Sequence, residues 1–215
     1  MTIKKIFYKI FPYKCILCGI EESNIKMDLC NPCLNNLPFA KNYTCFKYTS
    51  PIDRLILQIK FSEDLVAASI LGKIFAARLQ DIYCTKTHLP EMIIPIPLHK
   101  KRLRERGFNQ ATELAKPIAK LLKIPLARNV CKRIKHTKPQ AELSSKERIK
   151  NVKNAFQTKY AFDNKYIAVI DDVITTGNTM HSFCQMLKAN GAKNIDIWCI
   201  ARPEIISGTS SPPSV

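Results

Sequence analysis

No stretch of this sequence holds the roughly 18–20 uninterrupted apolar residues that span a bilayer, so no transmembrane helix is expected. The opening Met1–Pro12 mixes lysines with apolar residues, but Lys9 interrupts it and no small-residue cleavage site follows. It therefore reads as part of a mature cytoplasmic protein rather than a secretory leader. No internal repeat is present, so the fold is not built by stacking copies of one unit. Acidic residues are scarce: 17 Asp and Glu stand against 34 Lys and Arg, a net charge of +17. With 215 residues, 46% hydrophobic and 24% charged, the chain fits one ordinary domain with a buried core plus a small appendage, and disorder over its whole length is excluded.

The charge is concentrated. Residues 99–160 carry +14, while residues 51–98 are balanced and 161–215 sum to −1. A basic stretch of that density suggests an anionic partner: nucleic acid, a phosphorylated metabolite or acidic lipid. The plainer alternative is a solvated, solubilising surface.

Nine cysteines are many for this length, and four fall in two C-x-x-C pairs, Cys15-Ile16-Leu17-Cys18 and Cys30-Asn31-Pro32-Cys33, eleven residues apart. Each C-x-x-C turn sets two thiolates about one metal ion, and two turns complete a tetrahedral four-sulfur site. Gly19 and Pro32 suit the knuckle turns. Zinc in a structural role is expected, with iron as the alternative because sulfur ligation alone does not separate the two. Four unrelated buried cysteines, or a redox pair, are the competing readings. Cys45, Cys84, Cys131, Cys184 and Cys199 read as core or surface thiols.

The chain divides into a zinc-binding head (1–42), a globular body (43–203) and a Ser/Pro-rich tail (204–215) expected to be disordered. In the body, strand-like runs at 43–48, 92–96, 126–132, 166–170 and 195–201 alternate with helical stripes. The stripes are Ile52/Leu55/Ile56/Ile59, Leu65/Ala68/Phe75/Leu79, Ala111/Leu114/Ala115/Ile118/Leu121/Leu122 and 179–189. Pro117 predicts a kink in the third helix, and Gly191 a helix stop. Such alternation predicts an α/β fold with a mainly parallel sheet, whose ligands sit at the carboxyl ends of the strands.

One of those ends is the most informative place in the chain. Ile167 to Thr179 reads IAVIDDVITTGNT: a buried strand delivers Asp171 and Asp172, and Thr175, Thr176, Gly177, Asn178 and Thr179 turn into a helix. Small residues let backbone N–H groups wrap a phosphate, and the helix N-terminus favours negative charge. Two carboxylates beside a phosphate make sense if the ligand also offers sugar hydroxyls, or a Mg²⁺ that bridges the charges. A phosphorylated ribose meets both requirements; an ordinary capped turn is the competing reading.

The stretch resembles the thirteen-residue signature for 5-phosphoribosyl-1-pyrophosphate (PRPP) in type I phosphoribosyltransferases. The resemblance implies that Asp171 and Asp172 contact the ribose hydroxyls and act as the catalytic acids, and that 175–179 hold the 5-phosphate. It also implies that the basic loop 99–110, with Arg102, Arg106 and Gly107, meets pyrophosphate. Residues 133–156, including Gln140 and Arg148, take the place of a flexible hood. With the four-cysteine head, the Pro95-Ile96-Pro97 exit and Arg106-Gly107-Phe108-Asn109-Gln110, residues 7–203 resemble the ComF/GntX family of competence-associated proteins. That resemblance implies handling of incoming single-stranded DNA in natural transformation, alongside other DNA-uptake proteins. Lys100, Lys101, Arg102, Arg104, Arg106, Lys132 and Arg133 are then the expected DNA-binding residues, with Phe108, Phe156 or Tyr160 either stacking on bases or packing in the core, the role favoured for Phe156. The alternative is an active phosphoribosyltransferase with Mg²⁺ and an unidentified acceptor.

Overall fold

The computed structural model describes residues 43–62, 64–86, 88–136, 154–175 and 177–203. The expected zinc ligands Cys15, Cys18, Cys30 and Cys33, the hood residues Gln140 and Arg148, Thr176 of the turn, and the tail lie outside the described residues.

Runs rich in Ile and Val form the strands β1 (Thr44–Lys47), β2 (Met92–Pro95), β5 (Tyr166–Val173) and β6 (Asn194–Arg202). They make one sheet in the order β1-β6-β5-β2, with every pairing parallel. The long crossovers that parallel pairing demands are helical: α1 (Ile52–Phe61), α2 (Leu65–Tyr83), α3 (Lys100–Arg106), α4 (Gln110–Leu122) and α5 (Asn178–Ala189). Both faces of the sheet are covered, which is why the strands read as near-continuous apolar runs. On one face Ala168, Ile170, Trp198 and Ile200 pack under α1, α2 and α4. On the other, Ile167, Val169 and Cys199 pack under α5 with Phe183 and Leu187.

One expectation changes. Residues 126–132 do not form one strand. Leu126 makes a single bridge to Ile93 at the sheet edge, the chain turns at Asn129, and β3 (Cys131–Arg133) pairs antiparallel with β4 (Phe156–Thr158) as a separate ribbon. Phe156, read as part of the hood, is thus a buried ribbon residue set edge-on to Phe183, with ring centroids 4.9 Å apart. In addition, α4 runs through Pro117 as one helix. The proline ring is seated against α2 at Gly72, where a Cβ would lie 2.4 Å from Pro117 Cγ and 2.5 Å from the Leu114 carbonyl oxygen. Glycine is what lets the two helices approach there. Gly191, at φ 96°, stops α5 as expected.

At the amino edge of the sheet, the Tyr83 and Tyr166 hydroxyls both donate to Asp196 Oδ2, and Trp198 Nε1 donates to Tyr83 at 3.1 Å. These groups satisfy one another and tie α2 to β5 and β6.

Candidate functional site

The site is built where β5 leaves the sheet. Side chains alternate along a strand, so the two acids point to opposite layers. Asp172 continues the row of Ala168 and Ile170 toward α1, and Asp171 continues that of Ile167 and Val169. Asp171 Oδ1 accepts from the Asp172 N–H at 2.9 Å, and Asp172 Oδ1 accepts from the Val173 N–H at 2.8 Å. Burial, then the neighbouring Asp172 carboxylate, push the Asp171 carboxyl well above the usual carboxylate range, with Lys60 pulling the other way.

Lys60 is the residue that sequence reasoning missed. Its ammonium lies 2.7 Å from Asp172 Oδ2, with the two side chains only 22% and 13% exposed. Burial pulls the Lys60 pKa down, but Asp172 and Asp171 outweigh it and leave it raised. A signal was present. Lys60 falls on the same helical row as Ile52 and Ile56, eight and four residues after them, where a charge on an apolar stripe needs a partner.

Beyond β5 the Ile174 N–H donates to the Ala201 carbonyl at 3.2 Å, anchoring the start of the turn. Gly177, at φ 76°, takes the left-handed conformation in the turn, and Asn178 is the first residue of α5. The N-cap residue of α5 is Gly177, which has no side chain with which to cap the helix. Thr175 is exposed, and Asn178 and Thr179 are half-buried in the first turn. Helix-start N–H groups can receive an anion.

The basic segment expected as a pyrophosphate loop is instead the helix α3, ended by Gly107 at φ 72°. Lys, Arg, Leu and Glu are all good helix formers, but with Leu103 alone among charges the segment shows no apolar period. Its side chains divide by direction. The Arg106 guanidinium lies over the Phe61 ring, 5.8 Å from its centroid. Arg102 and Arg133 are close enough that each charge is felt by the other, and Arg133, whose pKa is lowered by burial and then by Arg102, is raised in turn by Asp171. Lys100, Lys101, Arg104 and Lys132 are exposed. The structure therefore puts Arg133 within reach of the Asp171 charge with Arg102 beside it, seats Arg106 over Phe61, and leaves Lys100, Lys101, Arg104 and Lys132 on the outer surface. Asn109 ties the arrangement to the sheet: its Nδ2 donates to the Ile96 carbonyl at 2.9 Å, while its Oδ1 caps α4 through the Ala111 N–H at 3.1 Å.

Comparison with known proteins agrees with this geometry. The model of the phosphoribosyl transferase domain matches residues 109–206, which include β5, the turn and α5. Competence protein F of Haemophilus influenzae is 37% identical over 201 residues, covering 90% of this chain and 86% of that protein. The chain belongs to the ComF family of competence proteins. A second ComF relative, the DNA utilization protein YhgH of Escherichia coli (strain K12), is 32% identical over 192 residues, covering 87% of this chain and 83% of its own. Among solved structures, a hypoxanthine phosphoribosyltransferase from Staphylococcus aureus aligns at 15% identity with a TM-score of 0.41, over 63% of this chain and 62% of that one. The fold of this ComF chain is that of a type I phosphoribosyltransferase, with its parallel sheet and covering helices. Lys60 and α3 lie before the matched domain, in the part that the ComF relatives share. Among the described residues, no helix is long and apolar enough to cross a membrane.

Proposed function

We propose that this ComF protein binds PRPP, or the phosphoribosyl end of a nucleotide, at Asp171–Thr179 and handles incoming single-stranded DNA in the cytoplasm during natural transformation, with other DNA-uptake proteins. The observation that carries the reading is the acid pair at the carboxyl end of β5 followed by the glycine turn that opens α5. Carboxylates accept from ribose hydroxyls; N–H groups of the turn and helix donate to the 5-phosphate. Asp171 and Asp172 also offer the hard oxygens that Mg²⁺ takes when it shares its coordination with substrate phosphates, and these residues would hold it. Bound there, Mg²⁺ would neutralise pyrophosphate charge. Arg102, Arg106 and Gly107 would meet the pyrophosphate, and Gln140 and Arg148 would close over it. Lys100, Lys101, Arg104 and Lys132, with Arg102, Arg106 and Arg133 behind them, supply the cationic surface for a DNA backbone. Cys15, Cys18, Cys30 and Cys33 hold a structural zinc in the head.

The phosphoribosyl transferase domain match favours a second reading, catalysis of phosphoribosyl transfer to an acceptor. Release of pyrophosphate from PRPP in the presence of DNA or nucleosides separates it from binding alone.

The test of the first reading is calorimetric titration with PRPP and Mg²⁺, then with oligonucleotide. Changing both Asp171 and Asp172 to Asn keeps size and removes charge. Each charged hydrogen bond is worth roughly 1.5–3 kcal/mol, so PRPP binding should weaken by well over tenfold. DNA affinity should hold or rise slightly, because negative charge beside a basic surface has been removed. A folded double variant that binds PRPP normally would refute the cradle.

A further inference from the structure

The helix α3 is a wall with two used faces. The Arg106 guanidinium lies over Phe61, while Lys100, Leu103 and Gly107 line a hollow of about 650 Å³, closed by the start of α4 and by β3. That volume is within the usual range for a small-molecule site. Its lining is mixed: Leu98, Phe108 and Ile134 form an apolar wall with Leu103 above the buried Cys131, and His99, Thr112 and the half-buried Arg133 add polar groups. Leu103 and Ile134 are 41% and 52% exposed, so this surface is open rather than packed. Lys100, Arg128 and Lys132 stand exposed on the rim. Among the described residues, no ion pair engages these three cations.

Cations on the rim beside an apolar wall suit a nucleotide, whose phosphate meets the cations and whose base packs on the wall. Two wall residues sharpen the choice. Asn129 is exposed on the lining, and an amide offers the donor and acceptor that a base edge requires; Asn109 is already committed to Ile96 and Ala111. Glu113, held by Lys116 at 2.6 Å, also lines the hollow. A carboxylate there opposes an acidic peptide side chain but not a neutral base, whose ring N–H or exocyclic amine it can accept from.

We infer that the hollow takes one nucleobase of a single strand whose phosphates follow Lys100, Lys101 and Arg104. This rests on the reading that the protein binds single-stranded DNA, and it assigns the base to the face of α3 that carries Lys100, Leu103 and Gly107.

The test compares an oligothymidylate of about eight nucleotides, within the usual span of single-strand sites, with an abasic strand of the same length and phosphate count. Both are titrated against the full chain and its Leu103→Ser and Asn129→Ala variants, each checked for folding by circular dichroism. Stacking and burial of one base predict at least about fivefold tighter binding of the thymidylate, with the same salt slope for both strands. Leu103→Ser should bring the thymidylate toward the abasic level and leave the abasic strand unchanged, and Asn129→Ala should do so more weakly. Equal affinity of the two strands for the wild type overturns the inference, as does a Leu103→Ser variant that weakens both alike. A polyglutamate peptide that competes as well as DNA and loses binding in the same variant makes the hollow a peptide site and also overturns it. If neither strand binds the wild type at low salt, the DNA reading itself fails and the inference falls with it.

Discussion

Replacing Lys60 by Met keeps the length and apolar stem of the side chain and removes the ammonium 2.7 Å from Asp172 Oδ2. Asp172 is then left without its counter-ion beside a second carboxylate. Fully buried pairs cost about 3–5 kcal/mol to break from one side and exposed ones about 0–1 kcal/mol. With the partners 22% and 13% exposed, a loss of about 2 kcal/mol at neutral pH follows. For a urea slope of about 2 kcal/mol/M, that lowers the unfolding midpoint by roughly 1 M. The loss should depend on pH. Asp171 has a folded-state pKa above its unfolded value, so it favours the fold fully below the ordinary carboxylate range, and that contribution is lost as pH rises through the raised pKa. Without Lys60 the Asp171 pKa rises further. The variant should therefore lose more stability at about pH 7.5 than at about pH 5, where the pair takes up a proton. Urea titrations at both pH values, without divalent ion or PRPP, measure this, and a cycle with Asp172→Asn isolates the coupling. Equal losses at the two pH values, or additive single changes, would refute the reasoning.

Gly72→Ala places a methyl against Pro117 Cγ and the Leu114 carbonyl, and should cost about 1–3 kcal/mol by denaturation; an unchanged midpoint would mean that the helices separate freely. His99 Nδ1 accepts from the Lys101 N–H at 3.2 Å, which requires a neutral ring, and its pKa is lowered by desolvation and then by His136, Arg133, Arg102 and Arg104. Because that folded pKa is depressed, its contribution to stability is present above the ordinary histidine value and lost as pH falls through the folded pKa. An NMR titration of His99 should show a midpoint below 6.5 that climbs when Arg102 and Arg104 are replaced by Gln; a midpoint at or above 6.5 contradicts this. The purified protein should carry one zinc per chain, lost on changing Cys15, Cys18, Cys30 or Cys33 to Ser; elemental analysis without metal, together with disulfides among these cysteines, would rule it out.

The sheet was legible because its strands are buried on both faces and its helices carry clean stripes, so Tyr166–Val173 and Asn178–Ala189 emerge with small boundary changes. The acid pair was legible because strand, acids and turn are contiguous. What escaped was of another kind. Lys60 meets Asp172 across the fold, and nothing local to either residue names the other. The helix α3 was hidden because its residues are helix formers without an apolar stripe. The ribbon β3-β4 was hidden because each strand is three residues long and its two halves are separated by the hood segment.

The opposite orientation of the two acids has a consequence for strand alignment. On β5, pairing runs from Tyr166 opposite Asn194 to Val173 opposite Ala201 on one side, and from Ile167 opposite Met92 to Ile170 opposite Pro95 on the other. A slip of one residue would exchange the layers: Asp171 would turn to Lys60 and Asp172 to Arg133, while every apolar residue of the strand changed sides. The electrical asymmetry at the end of the strand is thus inherited from the indexing of the whole sheet, and the core that buries Ile167, Ala168, Val169 and Ile170 also fixes which acid meets which cation.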